Sequence, residues 1–206
     1  METGILQDGK EEVLQAWYIN DGTTDEEEED PAHHCEPQEL VSMDKLAELG
    51  ILSWRLDSDD HYESHEDMKK IREARGYSHT YTFDLHPERL PNFETKVKSF
   101  FVEHLHSNEE TTYCMEGSGY YDVRDQNERW IRIQLKKGGM ILLPAGIYHR
   151  FSLDTNNYIK AVLFFAGPPV DLSFKRPNDD LPARKEYLAT LMKKERIGSQ
   201  GVLEAR

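Results

Sequence analysis

A chain of 206 residues with 37% hydrophobic and 31% charged side chains has length for one domain with a sizeable buried core. Its formal charge of −14 disfavours nucleic acid or an anionic membrane as the main partner. No run approaches the roughly 18 consecutive apolar residues of a membrane span. Two cysteines, Cys35 and Cys114, give no disulfide framework, and residues 1–15 lack the basic and apolar regions of a secretory signal. A reducing, intracellular location is therefore expected, the cytoplasm first and the nucleus second.

Residues 1–15 read as a mobile N-terminus and 16–195 as a single domain. QAWYI at 15–19 has the composition of a first strand. A polar loop over 21–31 follows, with six consecutive acids at 25–30. Such a run is a solvated segment in most proteins and a docking site for a protein partner in some. Ser42 predicts the cap of a short helix through Leu49, with Gly50 ending it and Leu46 and Leu49 facing the core. A second helix is predicted over 66–75, carrying Met68 and Ile71 on one side and stopped by Gly76. A third is predicted over 93–102, where Phe93, Val97 and Phe100 recur at helical spacing behind Asn92 as cap.

The period then changes. Short strand-like runs occupy 113–115, 119–123, 130–135, 140–143, 148–153 and 158–165, with Cys114 as a small core residue. In WIRIQL, Ile131, Ile133 and Leu135 alternate with Arg132 and Gln134, and 125–128 makes the hairpin turn before it. Closely spaced strands joined by turns predict an antiparallel sandwich or barrel. Pro182 opens a C-terminal helix with Tyr187, Leu188 and Leu191, and 196–206 reads as a disordered tail.

Between the helices and these strands lies HLHSNEETTYCMEG, His104 to Gly117. His104 and His106 share a face only if they sit on a strand. Imidazoles and a carboxylate converging from neighbouring strands suit a divalent transition metal. With nine histidines in the chain, an exposed chance pair is the competing reading. Glu103, Glu109 and Glu110 all compete for the carboxylate role.

Downstream, GGMILLPAGIYH runs from Gly138 to His149. The two stretches resemble the paired motifs of the cupin superfamily: H-x-H, three residues, E, six residues, G; then G, five residues, P-x-G, two residues, H. Two motifs in order, about thirty residues apart, are more specific than either alone. Departures at Lys98, where a Gly usually opens the first motif, and Leu153, where an Asn usually ends the second, touch no ligand position.

The segments AWY, ELVSMDKLAELGILSWRL, KIREARGY, FFVEHLH, GSGYYDVRD, LPAGIYHRF and LPARKEY extend the likeness over roughly residues 15 to 190. Together they resemble the acireductone dioxygenase family in its plant-type form. The resemblance implies a cupin-type antiparallel β-barrel or sandwich with several short flanking helices, its metal-binding core at about 98–170. It implies one Fe2+ or Ni2+ per chain, held by His104, His106, Glu110 and His149; the motif spacing selects Glu110 among the three acids. It implies cleavage by O2 of the enediol 1,2-dihydroxy-5-(methylthio)pent-1-en-3-one in methionine salvage. The iron form would give formate and a 2-oxo acid, the nickel form formate, carbon monoxide and 3-(methylthio)propanoate. The expected partners are thus that small molecule and O2. His33, His34, His61, His65, His79 and His86 read as surface residues.

Two positions depart from the family in what would be the substrate shell. Where the family reads D-E-E-x-R this chain has NEETT, ending in Thr112; where it reads K-A-M-R this chain has KAVL, ending in Leu163. Arginine there would offset the charge of a substrate anion; threonine offers one neutral donor and leucine none. An ordinary family member would then need a compensating cation, with Arg132 and Arg150 as candidates. A divergent paralogue would use the same metal cage on a less anionic enol, enediol or diketone. A non-catalytic metal-binding cupin is disfavoured, because converging buried polar groups cost stability in a barrel that needs only packing. The whole-chain likeness favours the dioxygenase.

Overall fold

The computed structural model describes residues 14–19, 39–56, 62–169 and 172–204. The acidic run at 25–30, Cys35, His33, His34 and His61 lie outside the described residues. In chain order the elements are β1 (Leu14–Ile19), α1 (Met43–Glu48), β2 (Leu52–Arg55), α2 (Glu66–Arg75), β3 (His79–Leu85), α3 (Phe93–Phe100) and β4 (His104–His106). There follow β5 (Glu110–Arg124), β6 (Trp130–Lys136), β7 (Gly139–Leu143), β8 (His149–Leu153), β9 (Ile159–Phe165), β10 (Ser173–Lys175) and α4 (Pro182–Glu204).

All the strand pairs are antiparallel and form two sheets joined by β5. One sheet runs β1-β6-β5-β8-β4-β10; the other runs β2-β7-β5-β9-β3. The inward residues of both sheets meet in one core: Ile131, Ile133 and Leu135 of β6, Ile141 and Leu143 of β7, Ile159 and Ala161 of β9. This is the mainly β, antiparallel architecture that the alternation in the sequence implies.

β5 differs instructively from expectation. The sequence divides it at Glu116–Ser118, but the structure keeps one 15-residue strand and absorbs the break as a bulge between Cys114 and Glu116. Gly117 completes the bend at φ 73°, where a Cβ would collide with the Tyr158 carbonyl. The bulge reverses the inward parity. Before it Cys114 enters the central core, and after it Tyr121 and Val123 do. The N-terminal half of β5 therefore pairs with β7 and β9, the C-terminal half with β6 and β8.

The helices cover edges and ends. Ser42 caps α1 by accepting from the Lys45 amide at 3.1 Å, and Leu46 and Leu49 are buried as expected. α2 lays Met68 and Ile71 on Tyr113, Val162 and Phe164 on the outer face of the second sheet. α3 packs Phe93, Val97 and Phe100 against the central core. It ends at Phe100 rather than at 102, and Asn92 stands at φ 57° with no side-chain capping bond, so it does not act as the cap expected.

Three strands escaped sequence reading. β2 has four residues and β10 three, too few for a periodic pattern, and β3 is an edge strand exposed along most of its length. β1 begins at Leu14, inside the segment read as mobile. α4 continues through Glu204, into the segment read as a disordered tail. Once a helix is nucleated, each further residue adds a hydrogen bond, and no proline interrupts 183–204.

Candidate metal centre

The three imidazoles arrive from two neighbouring strands. His104 and His106 alternate on β4, and His149 opens β8 directly opposite His104. The connection before β8 is held close by Gly146, which lies at φ 81° and whose amide donates to the His106 carbonyl at 2.9 Å. A Cβ at Gly146 would run into the Ala183 backbone at the start of α4. The glycine of the P-x-G stretch thus lets the α4 backbone lie against the turn that aims His149.

The ligand nitrogens of His104, His106 and His149 all lie within 4.8 Å of one another. Glu110, the first residue of β5, points Oε2 at the same space, 3.2 Å from His106 Nε2 and 3.5 Å from His149 Nε2. Each imidazole donates its Nδ1 proton to a carbonyl: His104 to Val102 at 2.6 Å, His106 to Leu172 at 2.9 Å, His149 to Ile147 at 3.1 Å. A carbonyl only accepts, so Nδ1 carries the proton and Nε2 presents a lone pair inward. Among the described residues, His149 Nε2 is the buried side-chain nitrogen or oxygen with no hydrogen-bond partner. Such an atom is costly unless something outside the protein completes it.

The electrostatics agree. Burial, then the neighbouring His149, push His104 down to about 4, so it is neutral near pH 7. Burial opposes charge on Glu110, but the close approach of His106 and His149 outweighs it and holds the carboxyl well below the usual range. Three imidazole nitrogens and one carboxylate oxygen, with the imidazoles' outer nitrogens anchored to backbone, form a donor set that fits Fe2+ or Ni2+.

Of the acids that competed with Glu110, Glu103 is taken by Arg124 and Arg176, and Glu109 by Tyr77 and Arg75. His79 is exposed and contacts Ser78, while His65 and His86 accept from nearby amides at a helix start and a turn. None of these three joins the site.

The two atypical positions are neighbours. Thr112 pairs directly with Leu163 across β5 and β9, on the face that also carries Glu110. Leu163 is partly exposed, but Thr112 is 1% exposed and its hydroxyl is 2.8 Å from Tyr121 Oη. Tyr121 in turn donates to Glu110 Oε1 at 2.7 Å. Burial, then the charge of Glu110, keep the Tyr121 hydroxyl protonated by pushing it well above the usual tyrosine range. Tyr121 was absent from the sequence-derived site, since the parity change after Gly117 that delivers it there has no local signature.

Neither candidate compensating cation enters the barrel. Arg132 and Arg150 sit on the outer face of the first sheet, where Asp122 accepts from both at 2.8 Å. All three are buried rather than surface residues, with Arg150 between the rings of Phe101 and Trp130.

Residues 15–173 match the model of the ARD/ARD′ family. The chain belongs to that family. It is 61% identical over 190 residues to acireductone dioxygenase 1 of Oryza sativa subsp. japonica, covering 92% of this chain and 94% of that protein. It is also 59% identical over 184 residues to a Sorghum bicolor protein named probable inactive acireductone dioxygenase 2, covering 88% of this chain and 99% of that one. Its fold resembles the acireductone dioxygenase of Bacillus anthracis, solved with a cadmium ion in its active centre: TM-score 0.59 at 18% identity, over 68% of this chain and 94% of that one. The likeness to this family of dioxygenases makes the chain an acireductone dioxygenase-like enzyme on a cupin fold.

Proposed function

We propose that this enzyme holds one Fe2+ or Ni2+ through His104, His106, Glu110 and His149 and uses it to cleave an enediol with O2. The proposed substrate is acireductone, giving formate and the 2-oxo acid of methionine salvage, with the cytoplasm as the place of action. The observation that carries this reading is the buried, unpartnered Nε2 of His149, set among two further imidazoles and a carboxylate. Bound there, the metal supplies the Lewis-acidic and O2-activating chemistry that these side chains lack.

The protein's own part is binding, orientation and exclusion of water. The imidazoles contribute no charge and Glu110 contributes one negative charge, so part of a divalent cation's charge stays available to attract an enediolate. Thr112, Leu163 and the aromatic ring of Tyr121 line the wall behind with neutral surface. An anion placed against that wall finds no cation among those three side chains.

That wall favours a second reading, in which the same four ligands serve a less anionic enol, enediol or diketone and acireductone turns over slowly. Product analysis separates the two. The iron-loaded and nickel-loaded proteins are each given acireductone under air, and formate, 2-oxo acid and carbon monoxide are quantified. Formate release with O2 uptake at rates like those of a member carrying both arginines supports the first reading. A weak rate with full metal loading supports the second, and no O2 uptake in either form overturns both.

A further inference from the structure

The two oxygens of Glu110 do different jobs. Oε2 faces the Nε2 atoms of His106 and His149, whereas Oε1 turns away and accepts from Tyr121. An ionised carboxylate has no proton to give, so Tyr121 must donate. Having spent its one proton, the Tyr121 oxygen can only accept at 2.8 Å from Thr112, which therefore donates. The direction is forced: Thr112 to Tyr121 to Glu110.

Each member of this chain is rigid. Thr112 is 1% exposed and β-branched, which limits its rotamers. The Tyr121 ring is 3% exposed and packs edge-on against Phe151 at 5.1 Å. The relay also spans the β5 bulge, since Thr112 belongs to the half of β5 in the second sheet and Tyr121 to the half in the first. Thr112 is thus more than a lost cation; its hydroxyl has a partner that an arginine side chain would displace.

Resting on the metal reading above, we propose that Tyr121 is a positioning residue for the metal centre. With Thr112 behind it, it holds Glu110 by Oε1 and leaves Oε2 as the single oxygen offered to the metal. Hydrogen-bonded partners of this kind orient ligating carboxylates, and losing one typically costs 10–100-fold in metal affinity.

Co2+ is the probe, because its visible absorbance reports coordination number and geometry independently of turnover. Anaerobic Co2+ titrations compare the unmodified protein with Tyr121→Phe, Thr112→Val, Thr112→Ser and His149→Ala. In Tyr121→Phe the carboxylate is free to rotate, so the spectrum should change and the affinity fall about 10–100-fold. Thr112→Val should shift both in the same direction by less, and Thr112→Ser, which keeps the hydroxyl, should restore them. A purely structural role would lower the melting temperature of the metal-free protein and leave the Co2+ spectrum unchanged, which overturns the proposal. If Tyr121→Phe does not fold, Thr112→Val against Thr112→Ser decides by the same criteria. An unmodified protein that binds Co2+ no better than His149→Ala overturns the metal reading and this inference together. Tight binding that neither Tyr121→Phe nor Thr112→Val alters overturns this inference alone.

Discussion

Thr112 and Leu163 face each other across the β5–β9 ladder, so the two arginine positions that depart from the family form one neutral patch of barrel wall. Their surroundings differ, and so do the expected consequences of restoring charge. Leu163 is partly exposed, whereas Thr112 is buried and hydrogen-bonded. Leu163→Arg should therefore fold normally and raise kcat/KM for acireductone, by roughly 10²–10³-fold if it supplies one well-placed donor to developing negative charge. Thr112→Arg alone should destabilise the protein by about 1–3 kcal/mol through overpacking and gain little activity. Paired with Tyr121→Phe, which removes the displaced hydroxyl, it should recover part of that loss. Steady-state kinetics at fixed metal content, with denaturant unfolding of each variant, test both statements.

Metal occupancy depends on the imidazoles as a set. His106→Ala and His149→Ala should each reduce bound metal to a small fraction of one per chain, because the remaining donors cannot replace a directional nitrogen ligand. His79→Ala, at an exposed histidine whose ring contacts Ser78 away from the site, should leave metal content alone. Elemental analysis after gel filtration is sufficient, and equal metal in all three variants rejects the assignment.

Removing the metal should lower stability without unfolding the chain, since the core is built from apolar residues of both sheets rather than from the ligands. A metal at a hundred times its Kd contributes about 2.7 kcal/mol. For a domain of this size that corresponds to roughly 5–11 °C in Tm. Differential scanning fluorimetry before chelation, after it, and after return of Fe2+ or Ni2+ reads the shift, and full recovery on return shows that it is specific.

The Gly146 turn links metal binding to the docking of α4. Gly146→Ala places a Cβ against the Ala183 backbone at a positive φ, so the turn or the helix must move. A cost of about 1–3 kcal/mol is expected from the backbone conformation alone. Metal affinity should fall as well, because the Gly146 amide is bonded to the His106 carbonyl. A variant with lowered Tm but unaltered metal affinity would falsify the coupling.

Deleting residues 25–30 should leave metal content and turnover unchanged, since a run of six like charges is solvated and self-repelling. Loss of either on deletion would assign that segment a part in the site.

The antiparallel architecture was legible in the residue order, and the resemblance it carries named His104, His106, Glu110 and His149, which the structure brings together. H-x-H places two imidazoles on one strand face by a period of two, and the spacings to Glu110 and from Gly138 to His149 are the local features that carry the family resemblance. Ser42, Gly76 and the alternation in β6 were legible for the same reason. Only the tertiary structure decided what surrounds those ligands. Which side chains reach Glu110 depends on the bulge at Cys114 and Glu116, which turns Tyr121 inward, and on the register that sets Thr112 beside Leu163. It likewise buries Asp122 with Arg132 and Arg150 on the outer face, where alternation predicts solvent. Bulges and registers are settled by pairing with strands far along the chain, and a shift of one residue moves every side chain to the other face.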